Sequence, residues 1–195
     1  MNGDRSAREP DGRLGAILGT LLFFVAAPGS AAGLAPYLLT RWKVQAPFLG
    51  VIGARVAGAL LLAGGVVALI ECFGRFALVG RGTPAPVAPP RELVVSGLYR
   101  RVRNPMYVAV VATILGQALF LGQVVLLQYA AAVWAIVHVW LLVYEEPSLR
   151  RRFGPSYQEY CSNVRRWWPR TTPWRPRDEP IRAAATAGTT PGSGA

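Results

Sequence analysis

Histidine occurs once in this chain, at His138, and cysteine twice, at Cys72 and Cys161. No His/Cys cluster exists, so a protein-built zinc site is excluded. The two cysteines lie far apart, one near the end of an apolar block and one in a basic tail, and no disulfide is expected. Charge is also scarce. Charged residues make up 16% of 195 residues, acidic ones number 10 against 21 Lys and Arg, and Asn104 to Tyr144 carries no charged side chain over 41 residues. With 52% hydrophobic residues gathered into long blocks, that scarcity points to a membrane protein rather than a soluble domain. The net charge of +11 does not indicate nucleic acid, because the arginines stand at the edges of apolar blocks. A dinucleotide fingerprint is missing too: Gly80-Arg81-Gly82 runs into prolines instead of a helix.

What is present is apolar length. A helix needs about 20 residues to cross the hydrocarbon core. Stretches of that kind run over about 14–39, 48–70 and the uncharged block 104–144. As one helix that block would reach about 60 Å, twice the core, so it must fold back. Gly122-Gln123 is the natural turn, giving spans of about 105–121 and 124–144. Within the first stretch Pro28-Gly29-Ser30 admits two readings, a kinked span or a cleaved signal. Gly15 and Gly19 form a small-residue pair there that suits helix packing. With four spans, three of the Lys and Arg residues precede the first span, six lie between the second and third, and nine follow the fourth. Only Arg41 and Lys43 fall on the opposite side, which predicts cytoplasmic N- and C-termini. Arg55 lies inside the second span and is expected to snorkel to the outer interface, while Glu71 is expected to cap the other end. His138 reads as a neutral, hydrogen-bonded packing residue.

The expected class is therefore all-α and integral to the membrane. Residues 1–13 form a cytoplasmic N-terminal segment, 14–170 the membrane domain and 171–195 a disordered tail rich in Pro, Gly, Ala and Thr. Leu149, Phe153, Tyr157, Tyr160 and Val164 recur at helical spacing, so 146–168 should form interfacial helices, broken at Gly154-Pro155 and anchored by Trp167 and Trp168. The connector before the third span carries Pro84, Pro86, Pro89 and Pro90 and a Val94-Val95 core, features of an ordered lid. Antiparallel third and fourth spans would bring Arg103-Asn104-Pro105 and Glu145-Glu146 to one mouth, flanked by Tyr99, Tyr107 and Tyr144. Two adjacent carboxylates repel, which raises the apparent pKa of one.

"GTPAPVAPPRELVVSGLYRRVRNPMY" followed after the hairpin by "EEPSLRRRFGPSYQEYCSNVRRWWP" resembles the isoprenylcysteine carboxyl methyltransferase family and its phospholipid-methyltransferase relatives over about 74–170. The resemblance implies an integral-membrane methyltransferase using S-adenosylmethionine, with the cofactor held at the end of the last hairpin and a lipophilic acceptor arriving from the bilayer. Gly97 and Tyr99 match the family's Gly-x-Tyr. Arg103, Asn104, Pro105 and Tyr107 match its Arg-His/Asn-Pro-x-Tyr, Glu145, Glu146 and Leu149 its Glu-Glu-x-x-Leu, and Phe153, Gly154, Tyr157 and Tyr160 its Phe-Gly-x-x-Tyr-x-x-Tyr. Asn104 stands where eukaryotic members have histidine, so no imidazole acts there, and Ala109 replaces a frequent glycine.

Catalytic roles are thereby expected for Arg103, Glu145 and Glu146. Cofactor contacts are expected from Gly97, Tyr99, Asn104, Pro105, Tyr107, Glu145, Glu146 and Tyr157. No metal and no nucleic acid are expected, and the partners are the bilayer and a lipophilic methyl acceptor. A carboxylate acceptor needs no base, whereas an amine would need Glu145 or Glu146 to deprotonate it. Two other readings stand beside this one: N-methylation of a phospholipid or small lipophilic amine, and a non-catalytic scaffold that keeps the fold.

Overall fold

A computed structural model of the chain describes residues 25–79, 93 and 95–175. The N-terminal segment, the Gly15/Gly19 pair, the start of the first apolar stretch, the connector prolines, Val94 and most of the tail lie outside the described residues. Among those described there is no strand. A π-helical stretch, Val25–Leu34, carries Pro28 and leads into α1 (Ala35–Thr40). It continues through α2 (Ile52–Val79), α3 (Pro105–Leu121), α4 (Val124–Trp140), a π-turn (Leu141–Glu145) and α5 (Glu146–Asn163).

Two helices among the described residues are long and apolar enough to cross a membrane: α2 over Ile52–Arg75, and the continuous helix that starts at Val124. The shorter α3 has 17 apolar-rich residues. It begins at Pro105, whose missing N–H costs nothing at the first helical position. The chain reverses at Gly122-Gln123, the expected turn, and Gln123 Nε2 donates to Lys43 O at 2.7 Å to hold it. The second apolar helix starts and ends later than its hydropathy alone suggests, running on to Val79. Glu71 therefore does not cap it. It lies one turn before Arg75 on the same face and pairs with it.

The α2–α3 seam depends on missing side chains. A methyl group at Gly65 would lie 2.5 Å from Thr113 Oγ1, and one at Gly116 would lie 2.5 Å from Leu62 N. Glycine at both sites lets the two backbones approach, as in small-residue packing between membrane helices. Ile114, fully buried, and Ala109, Val110 and Phe73 fill the core beside the seam. Buried Gln117 donates to Ala32 O at 2.6 Å, and Tyr129 to Ala31 O at 3.0 Å. These bonds tie the π-helical stretch around Pro28 to α3 and α4. Arg55 donates to Phe120 O at 3.1 Å and Gln45 O at 2.7 Å, so it reaches the end of the hairpin, near where snorkelling would take it.

The C-terminal part turns back across the start of α3. The break expected at Gly154-Pro155 is there, with Gly154 at φ 50° and ψ −125° inside α5. Tyr157, Tyr160 and Val164 form the buried face, and Leu93, Val95, Leu149, Phe153 and Cys161 pack on it. Beyond α5 the backbone runs alongside the connector. Arg103 N donates to Arg165 O at 2.9 Å, Arg170 N to Arg101 O at 2.8 Å and Trp174 N to Arg100 O at 2.9 Å.

Candidate functional site

Four segments meet at the mouth of the α3/α4 hairpin: the connector from Val95 to Asn104, the first turn of α3, the π-turn that ends the α4 span after Tyr144, and the chain from Val164 to Trp174. Each contributes polar groups to one small volume, and the two glutamates there are treated differently.

Glu146 is clamped. Arg166 Nε donates to its Oε1 at 2.6 Å and Nη2 to Oε2 at 3.0 Å, a two-pronged pairing of the kind only a guanidinium makes. Arg103 Nη1 adds a longer contact to Oε1 at 3.4 Å and donates to Cys161 Sγ at 2.8 Å. Burial alone would raise the Glu146 carboxyl. The Arg166 hydrogen bonds, with the charges of Arg103, Arg166 and Arg150, outweigh it and hold the group below the ordinary glutamate value. The same pairing raises the Arg166 guanidinium.

Glu145 has no such support. Its Oε2 accepts a hydrogen bond from Tyr107 at 2.9 Å, and no Lys or Arg among the described residues pairs with it. Burial and the neighbouring Glu146 charge raise its carboxyl, and the Tyr107 bond only partly offsets them. An adjacent pair has thus been split, one acid stabilised as an anion and the other short of positive charge, the pattern that separates roles at a site.

Tyr99, 9% exposed, packs against Cys72 with Leu98 and Met106. Burial raises the Tyr99 hydroxyl, reinforced by Cys72, Tyr160, Glu145 and Tyr107. Its backbone carbonyl accepts from Tyr160 at 2.6 Å. Asn104 Nδ2 donates to Arg166 O at 3.3 Å, so this side chain holds the C-terminal segment rather than capping α3. Tyr157 is buried under Tyr160, and desolvation raises both hydroxyls. Arg103 keeps one buried donor, Nε, with no partner. The unpaired donor on Arg103 and the Glu145 carboxylate without a cation are groups of the kind that a ligand bearing both charges satisfies.

Of the residues expected here, Arg103, Asn104, Pro105, Tyr107, Glu145, Glu146, Tyr99 and Tyr157 come together. Gly97 does not join them. It adopts φ 53°, and a side chain on it would overlap the Arg75 guanidinium and the Glu71 carboxylate, so its glycine serves the connector's fit onto α2. Arg166 and Cys161 escaped the sequence reading. Their only signal was position: Arg166 follows the last residue of the α5 apolar face by two, where the chain must turn back toward the membrane. His138 accepts from Trp167 Nε1 at 3.2 Å and stacks on Trp134 at 5.1 Å between centroids, the packing role expected of it.

A family model described as phospholipid methyltransferase matches residues 54–156, from the second residue pair of α2 to the first turn after the Gly154 kink. No curated protein and no solved structure gives a significant match.

Proposed function

The chain belongs to the phospholipid methyltransferase family, a family of membrane methyltransferases, and on that premise we propose that it is an S-adenosylmethionine-dependent enzyme that methylates a lipophilic acceptor in the manner of isoprenylcysteine carboxyl methyltransferases. It crosses the bilayer four times with both termini in the cytoplasm, in keeping with eighteen Lys and Arg residues on that side.

The observation that carries the reading is the half-buried Glu145 carboxylate, with a phenol partner and no cation among the described residues. S-adenosylmethionine fits this lack, since it brings an ammonium and a sulfonium to the carboxylate and a carboxylate of its own to an arginine with a spare donor. When bound it supplies an electrophilic methyl group. The chain's own residues bind and orient. Glu145 and the faces of Tyr107 and Tyr99 hold positive charge, and Arg103 offers Nε to an anion. Glu146 and Arg166 keep Arg103 and the C-terminal segment over the mouth, excluding water from it. Methyl transfer between held groups needs alignment and desolvation more than acid–base chemistry. A carboxylate or thiolate acceptor is nucleophilic as it arrives. An amine acceptor needs a base, and Glu145, whose carboxyl is raised, is the local group able to take the proton.

Transfer of a labelled methyl group in lipid nanodiscs tests this, with a prenylated cysteine, an aminophospholipid and a simple lipophilic amine offered in parallel. Label in the prenylcysteine ester supports the reading. Label confined to either amine moves the assignment to N-methylation. Cofactor bound with no acceptor labelled, or no cofactor bound at all, favours the scaffold.

A further inference from the structure

A cavity of about 640 Å³ flanks α2 on the cytoplasmic side, and Glu145, Glu146, Arg103 and Tyr107 do not line it. Gly64, Ala68, Glu71 and Arg75 form its helical wall, at steps of four, three and four along one face. By helical rise this wall is about 16 Å long. Its upper end is apolar and faces the hydrocarbon region. Its lower end meets Ser96, Arg100 and Arg101 of the connector. A groove with one end in hydrocarbon and the other among charges has the proportions of a lipid rather than of a free ion.

The polar end carries specific chemical demands. Glu71 Oε2 and Ser96 Oγ are both buried without a hydrogen-bond partner, and both residues line the cavity. Buried polar atoms of this kind are rare and call for a partner. A glutamate oxygen accepts only, so it requires a donor. Among the described residues Arg75 pairs with Glu71, while Arg101 meets the backbone carbonyls of Arg170 and Thr171 and no carboxylate, so the cavity's charge at the polar end favours an anion. A bare phosphate would meet the arginines and leave Glu71 unsatisfied. A purely zwitterionic choline headgroup has no donor to offer.

We propose that this groove binds an anionic phosphodiester lipid with a hydroxyl-bearing headgroup, its phosphate toward the connector arginines and Ser96, its hydroxyl on Glu71 and an acyl chain along Gly64 and Ala68. The lipid holds the Ser96–Arg101 connector, which carries Tyr99 into the mouth, so it supports the methyltransferase site without contacting the reacting groups. The inference rests on the membrane reading of α2 and not on methyl transfer.

Native mass spectrometry of the purified full chain in mild detergent tests it, with phosphatidylglycerol, phosphatidylcholine and phosphatidylethanolamine in competition. One phosphatidylglycerol is expected to be retained at least tenfold over the others. Gly64→Leu is the informative variant, because a Cβ there meets no atom within 4 Å and the residue lines the groove that the longer side chain would fill. It should lower retention about tenfold while leaving the lipid-free melting temperature unchanged, and Ser96→Ala should lower retention several-fold. Equal retention of all three lipids, preference for the ethanolamine lipid, full retention by Gly64→Leu, or displacement by soluble glycerol phosphate would each overturn the proposal.

Discussion

Glu145 closes the membrane side of the mouth and Glu146 opens its C-terminal side, and the two neighbours occupy contrasting surroundings. Glu146 sits in a finished network: a two-pronged arginine, a second arginine at 3.4 Å and a carboxyl held below its ordinary value. Glu145 sits in an unfinished one, with a single phenol donor and a carboxyl pushed upward. The half of the mouth built by the C-terminal segment is satisfied without a ligand and holds the fold together. The half built by the hairpin is costly without one, which is how binding sites differ from structural ion pairs.

Substitutions should separate the two halves. Glu146→Ala leaves Arg103 and Arg166 facing each other without a counter-charge, and should cost about 3 kcal/mol, the lower end for a broken buried pair, because Arg166 is 26% exposed. Thermal unfolding in detergent reads this as a large fall in melting temperature. Glu145→Gln should do the opposite to stability, raising it slightly at neutral pH, while weakening S-adenosylmethionine about a hundredfold, or about 2.7 kcal/mol. If both variants lost stability alike, the contrast would collapse. Tyr107→Phe removes the Tyr107 hydrogen bond to Glu145 and should weaken the cofactor about tenfold, in the range for a bond to a charged group.

The pH dependences differ in sign. Glu146 has a lowered folded pKa, so its contribution to stability is complete above the ordinary value of 4.5 and is lost as pH falls below it. Glu145 has a raised one, so its ionisation opposes folding as pH climbs above 4.5, and that penalty disappears in Glu145→Gln. Cofactor affinity should rise over the same window as Glu145 ionises, and titrations across pH should show the slope in wild type and not in the glutamine variant. The smallest effect belongs to Trp167→Phe, which keeps a smaller aromatic ring and loses the bond to His138. It should cost about 1 kcal/mol and leave affinity unchanged.

Much of this arrangement was readable from the chain. The 41-residue uncharged block forced a hairpin, Gly122-Gln123 gave the turn, and Pro105 and Tyr144 set its ends, so the meeting of Arg103 with Glu146 followed from span length alone. The Gly154-Pro155 break was likewise local chemistry. The split between the two carboxylates was not legible. It depends on Arg166, twenty residues from Glu146 across a kink, and no spacing rule links positions whose distance is set by tertiary packing. The family match ends at residue 156, before Tyr157, Cys161 and Arg166. Gly97 was expected at the cofactor from its motif alone, and its positive φ and the Arg75 side chain beneath it add a packing reason for glycine that the motif did not show. Glu71 was misplaced because hydropathy falls off where charge begins, although the helix continues for two more turns.

The central claim is that Glu145 lacks a cation that the cofactor provides. Calorimetric titration of S-adenosylmethionine into the purified protein, with Glu145→Gln beside it, tests this most directly. The account predicts saturable binding by the wild type and about a hundredfold weaker binding by a variant that melts no lower. Equal affinities in the two proteins, or no binding by folded wild type with lipid restored, would contradict it.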